Sequence, residues 1–98
     1  GWGLRPYPTD PTYVLGRRTR RSQHVGSMEY VVRDEPYVAP WFSTDASTPC
    51  HPGIYLAGEC WLAYEYPAAE TVEVRCRRDE LVHAGDKWRA RRVWVIQR

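Results

Sequence analysis

The sequence predicts a small α+β domain: a mostly antiparallel sheet of about five strands with one short helix packed on one face. Three observations predict it. Residues 71–76 alternate cleanly, with Val72, Val74 and Cys76 on one side and Thr71, Glu73 and Arg75 on the other, which is the pattern of a strand with one wet face. Residues 53–57 (GIYLA) form a compact apolar run directly after the turn-forming Pro52-Gly53 pair, as in a strand entering a core. Between these two, Gly58 and Pro67 bracket residues 59–66, where Leu62 and Tyr66 fall one turn apart with Trp61 beside them and Glu59 near the start. That segment is the expected helix, with Leu62 and Tyr66 against Val72, Val74 and the Ile54 strand.

Taken in order, residues 1–11 (GWGLRPYPTDP) are rich in Gly and Pro and predict an extended arm anchored by Trp2, Leu4 and Tyr7. Residues 12–15 predict a short strand that Gly16 ends. Residues 17–27 are polar and basic and predict an exposed loop. Residues 28–33 (MEYVVR) predict a second strand with Tyr30 and Val32 on one face and Val31 on the other. Pro36 and Pro40 turn the chain, since proline has no N–H to give a ladder. The pair Trp41-Phe42 then leads through the turn-rich residues 43–49 into the strand at 53–57. Residues 87–96 form a last long β-rich run whose apolar phase shifts from Trp88 and Ala90 to Val93 and Val95. An extra residue near Arg91-Arg92, a bulge, would shift it so; the other phasing keeps Trp88, Ala90, Trp94 and Ile96 together and tolerates Arg92 among them.

With 98 residues the chain reads as one domain, large enough for a modest core and short for an enzyme carrying its own cofactor domain. A hydrophobic content of 43% with 27% charged residues argues against wholesale disorder. Five Trp and seven Tyr against one Phe supply large amphipathic side chains for packing, stacking or an interface. The net charge of +2 exerts no strong pull on a polyanion, but 13 of the 14 basic residues are Arg and they cluster at 17–21, 75–78 and 87–92. Arg meets phosphate through a planar fork, so clusters brought onto one face would track a nucleic-acid backbone. No stretch is long enough to span a bilayer and no secretory leader with an apolar core is present, so the expectation is a soluble, cytoplasmic chain. Three cysteines without a C-x-x-C pair indicate buried thiols and no disulfide framework. The spacings of Cys50, His51, Cys76 and His83 match no metal-ligand motif.

The pattern Tyr30-Val31-Val32, Cys50-x-x-Gly53-Ile54-Tyr55, Ala63-Tyr64, Val72-x-Val74, Asp79-x-x-Val82 and Lys87-x-Arg89 before a closing Val-rich strand resembles a module of bacteriophage proteins. The same module occurs in phage proteins likened to the protector from prophage-induced early lysis. There a C-x-x-G-[IL]-H segment opens a strand, a short helix and a strand follow, then a D-x-V loop, and a K-x-R strand closes the domain. The resemblance covers the last half of the chain well and the first half poorly. It marks Cys50, Gly53 and Tyr55 as motif positions, with Tyr55 standing where the module has histidine. It implies a phage or mobile-element origin and no particular chemistry.

Residues 53–57 with Ala63-x-x-Tyr66 also resemble the strand and helix that wall the nicotinamide pocket of ADP-ribosyltransferases. That resemblance implies an NAD-binding domain in which Ser43, Thr44 and Glu70 or Glu73 supply the polar groups, the glutamate stabilising an oxocarbenium-like transition state. The early His-Gly-[ST] or Arg motif of that family is absent, and Arg5 is the substitute at hand. Cys50-His51 fails as a thiol–imidazole pair, because neighbours in an extended strand point to opposite faces. No paired carboxylates occur at a hydrolytic spacing. No catalytic set, cofactor or metal is therefore assigned, and binding is the expected class of function. Arg77, Arg78, Lys87, Arg89 and Arg91 fall on elements expected to be adjacent, flanked by Trp88 and Trp94, and suit single-stranded nucleic acid or a protein partner. Self-association into a homo-dimer through an edge strand such as the last is the further expectation.

Overall fold

Two antiparallel sheets face each other across one core. The computed structural model describes residues 4–21, 29–48, 51–57, 70–85 and 87–97. The larger sheet has five strands in the order β1-β2-β5-β8-β3, where β1 is Arg5–Pro6, β2 Tyr13–Thr19, β3 Tyr37–Val38, β5 Thr71–Arg77 and β8 Arg92–Gln97. The smaller has three, β4-β7-β6, formed by Ile54–Ala57, Lys87–Ala90 and Leu81–Ala84. The expected α+β architecture is thereby corrected to a mostly β one. The helix expected at residues 59–66 lies outside the described residues, and within them the helical residues are Glu70 and the 3-10 turn Arg78–Glu80. The second sheet covers the face of Val72 and Val74 that was assigned to a helix: both are fully buried in one cluster with Ile54, Leu56, Ala90, Val93 and Val95.

The physical reason lies at Arg91. Residues 87–97 are two strands, not one bulged strand, because the chain leaves the smaller sheet after Ala90 and enters the larger at Arg92. The main chain is pinned at this corner, with Arg91 N donating to Glu80 O at 3.2 Å and Ala39 N donating to Arg91 O at 2.9 Å. The shift of apolar phase read in the sequence is this change of sheet. The irregular register falls elsewhere, between Glu73 and Val74, where β5 pairs with β8. Leu81–Ala84, assigned to a loop by the phage-module pattern, is a strand that turns back into β7 at Gly85, whose φ of 65° suits a tight hairpin.

β2 also runs further than the sequence suggests. Gly16 does not end it: Tyr13, Leu15, Arg17 and Thr19 alternate outward while Val14, Gly16 and Arg18 turn inward. A Cβ on Gly16 would stand 3.0 Å from Leu4 Cδ2 and 3.3 Å from Leu56 Cδ1, so the glycine marks where the N-terminal arm and β4 press onto the strand. The strand expected at 28–33 does not form among the described residues 29–33. Glu29 makes an isolated bridge to Arg21, Tyr30 is buried, and Val32 is exposed instead of sharing its face. No described helix is long and apolar enough to cross a membrane.

Cys76 Sγ lies inside the core, fully buried. Burial, and then the nearby Glu80 carboxylate, push its thiol from an ordinary 9.0 up to about 12. Because the folded value is raised, the contribution to stability is full below the unfolded value and is lost as pH rises from about 9 towards about 12. Mass mapping after iodoacetamide at pH 8 is expected to leave the Cys76 peptide unmodified in the native protein and to label it in guanidinium.

Candidate functional site

The outward face of the larger sheet is where aromatic and guanidinium groups meet. Successive residues of a strand point to opposite faces, so the positions that alternate with the buried Val14, Val74, Cys76, Val93 and Val95 all face solvent. Register places Tyr13 beside Arg77, Leu15 beside Arg75 and Arg17 beside Glu73, with Arg75 in turn beside Trp94. Tyr7, from the N-terminal arm, folds over this row and meets Tyr13 edge-on at 6.0 Å between ring centres, and Tyr13 meets Trp94 edge-on at 5.7 Å.

Arg75 sits among these rings. Its guanidinium carbon is 4.6 Å from the Tyr13 ring centre, 4.9 Å from Trp94 and 5.5 Å from Tyr7. Its Nε is buried without a hydrogen-bond partner. The neighbouring arginines are differently placed, each beside a carboxylate. Arg5 pairs with Glu73, which Arg17 approaches at 3.9 Å; Arg77 forks onto Asp79 through two contacts of 3.1 Å; Arg92 Nε donates to Glu80 at 2.9 Å. The Arg77 fork holds the Asp79 carboxyl below its usual range, mainly through that hydrogen bond. Among the described residues Arg75 thus has three rings around it and no carboxylate within ion-pair distance.

Only part of the sequence-derived set assembles here. Arg77 and Trp94 lie on the outward face. Arg78 is exposed in the adjoining 3-10 turn, its Nε donating to Pro11 O at 3.3 Å. Arg91 is exposed at the corner between the sheets, used through its main chain. Lys87 and Trp88 belong to the smaller sheet. Trp88 packs partly against the core and stacks on His83 with ring centres 4.1 Å apart and planes 6° from parallel. Arg89 is fully buried on the other side of the same strand. Its fork donates to Ser43 O at 2.8 Å, to Asp45 O at 2.9 and 2.8 Å, and to Thr48 O at 3.2 Å.

Arg89 is therefore the clamp of the loop from Phe42 to Thr48. The same loop is tied at its far end, where Ser43 N donates to Pro52 O and His51 stands 3.3 Å from the Asp45 carboxylate. The hydroxyl and amide of Ser47 hold the Asp45 carboxyl below its ordinary value. Of the phage-module positions, Gly53 lies under the Arg89 stem and Tyr55 donates its hydroxyl to His51 O, while Cys50 is outside the described residues. Gly53 and Arg89, far apart in sequence, are thus one contact.

Of the residues invoked by the transferase resemblance, Tyr55 and Glu73 do not meet. Tyr55 faces the Arg89 side of the smaller sheet, Glu73 the solvent side of the larger, and Tyr66 is outside the described residues. Among the described residues no three His, Cys, Asp or Glu side chains gather as a metal set. Sequence reasoning missed Tyr7, Tyr13 and Arg75 as a unit. The signal available was alternation, Tyr13 outward from a strand that continues past Gly16. Compared with protein families, curated proteins and solved structures, the chain matched none.

Proposed function

We propose that this chain is a small non-catalytic binding domain whose outward sheet face takes single-stranded nucleic acid. The observation that supports it is the Arg75 cluster: a guanidinium lacking a carboxylate partner among the described residues, set between Tyr7, Tyr13 and Trp94. Bases stack on such rings with little regard to sequence, each contributing about 1–3 kcal/mol, while arginine forks take the phosphates between them. The likeness to the phage module supports a phage or mobile-element setting for that activity.

The test is anisotropy of a fluorescent mixed-sequence single strand, as DNA and as RNA, titrated with protein at rising salt. Binding is expected at low salt and weakens as salt rises. Trp94→Ala is expected to weaken it by roughly tenfold or more, and Arg75→Gln to weaken it and flatten the salt dependence. Absence of binding at low salt would remove the reading.

A second reading follows the other edge of the larger sheet. Trp41 is 76% exposed, and Val31, Val32 and Val38 are exposed in the same segment around the edge strand β3. An apolar edge of this kind suits a protein partner, a second copy included. Sedimentation of wild type against Trp41→Ser tests self-association. A monomer at high concentration for both leaves only a foreign partner.

A further inference from the structure

Arg18 is a second buried guanidinium, and it is satisfied far less completely than Arg89. The residue is 8% exposed and turns inward from β2 with Val14 and Gly16, opposite Val72 of β5. A guanidinium has five N–H groups in a planar fork. Among the described residues two hydrogen bonds are made: Nε donates to Thr19 O at 3.1 Å, and NH1 donates to the main-chain oxygen of Tyr55 at 3.2 Å. The Tyr30 ring lies 4.2 Å beneath the guanidinium carbon. No carboxylate among the described residues comes within ion-pair distance of it, and its neighbours Arg17 and Arg20 stand beside Glu73 and Glu29.

Taking a cation out of water without an anion is costly. Arg89 meets that cost through its two terminal nitrogens, which donate four hydrogen bonds to carbonyls while its Nε stays buried without a partner; among the described residues the second terminal nitrogen of Arg18 donates none. Burial lowers the proton affinity of Arg18 and raises that of Tyr30, so the interior favours neutral forms at this end of β2. A bound anion would reverse the balance. The arrangement has what an oxyanion receptor requires: a fork fixed by two hydrogen bonds, a ring beneath it, and a residue that keeps 8% of its surface exposed.

We infer that Arg18, backed by Tyr30 and the Tyr55 carbonyl, binds an oxyanion, a phosphate or carboxylate group, at the end of β2 between the two sheets. This site is independent of the sheet-face reading, because β2 turns Arg18 to the opposite side from Tyr13 and Arg17.

The experiment is thermal unfolding and calorimetric titration of the whole chain with inorganic phosphate, adenosine monophosphate or acetate, at ionic strength held constant with chloride. A saturable rise in Tm is expected with at least one of them, and the three arms separate phosphate, phosphate ester and carboxylate. Arg18→Met is expected to keep or raise the Tm of the free protein, since an apolar side chain replaces an uncompensated buried charge, and to lose the ligand-induced rise. Arg18→Lys keeps the charge but not the fork and is expected to bind roughly tenfold or more weakly. A wild type with no saturable response overturns the inference, as does an undiminished response in Arg18→Met. Should Arg18→Met not fold, wild-type affinity in Arg18→Lys overturns it.

Discussion

Replacing Arg89 with alanine is expected to lower stability by roughly 3–5 kcal/mol, the range found when one side of a buried charged network is removed. The fork of Arg89 donates to three main-chain oxygens, those of Ser43, Asp45 and Thr48. Deleting it strands those loop carbonyls over the fully buried Arg89 position, and each orphaned acceptor costs about 1–3 kcal/mol unless the loop opens. The loop is therefore expected to open, which limits the total. For a chain of this size each kcal/mol moves the Tm by roughly 4–8 °C, so thermal unfolding should show a fall of tens of degrees or no folded baseline. Arg89→Lys is expected to recover little, because an ammonium on a flexible stem cannot hold three carbonyls in a fixed plane. Hydrogen exchange provides the local check. In Arg89→Lys, amide protection is expected to drop first in the segment containing Asp45 and Ser47, before the β2–β5–β8 ladder. A Tm of Arg89→Ala within a few degrees of wild type would show that the clamp carries no stability.

This role was not legible at Arg89 itself. In sequence Arg89 is one more cation in a basic run with Lys87, Arg91 and Arg92, and alternation places it on a face without saying whether a loop covers that face. What was legible was local: the alternation at 71–76, the apolar run at 53–57, and the phase change near Arg91 all correspond to features of the fold. The sheet switch behind that phase change was not, since a bulge and a change of sheet leave the same trace in a one-dimensional pattern. The error in fold class follows from it. Reading 87–96 as one strand leaves the face of Val72 and Val74 uncovered, and a helix was the nearest cover; splitting it and adding Leu81–Ala84 supplies a second sheet. At the candidate site the sequence marks Trp94, whereas Tyr13 falls in a strand that the local pattern stops at Gly16. That glycine reflects the press of Leu4 and Leu56, a long-range cause that no local propensity contains.

Gly53→Ala is expected to be the other severe substitution, and its dependence on Arg89 identifies why. A Cβ at Gly53 would fall 2.3 Å from Arg89 Cγ and 2.6 Å from Cδ, well inside contact distance, and the residue's φ of +150° is one that side chains other than glycine rarely adopt. The two effects differ in kind. The backbone term, about 1–3 kcal/mol, belongs to Gly53 alone. The steric term, also about 1–3 kcal/mol, exists only while the Arg89 stem is there, and Arg89 cannot step aside without dragging its fork off the three carbonyls. Gly53→Ala in the wild type is thus expected to cost the sum, roughly 2–6 kcal/mol. In an Arg89→Ala background only the backbone share should remain, so the double mutant should be more stable than the two single losses added together, by a coupling of about 1–3 kcal/mol. Urea unfolding of all four proteins measures it; where Arg89→Ala is too unstable alone, Arg89→Met, which keeps Cγ, serves as the control in which the clash and hence the full cost persist. Strict additivity between Gly53→Ala and Arg89→Ala would mean that the glycine answers to backbone conformation alone. The pairing of C-x-x-G with K-x-R in this chain would then be two separate requirements instead of one contact.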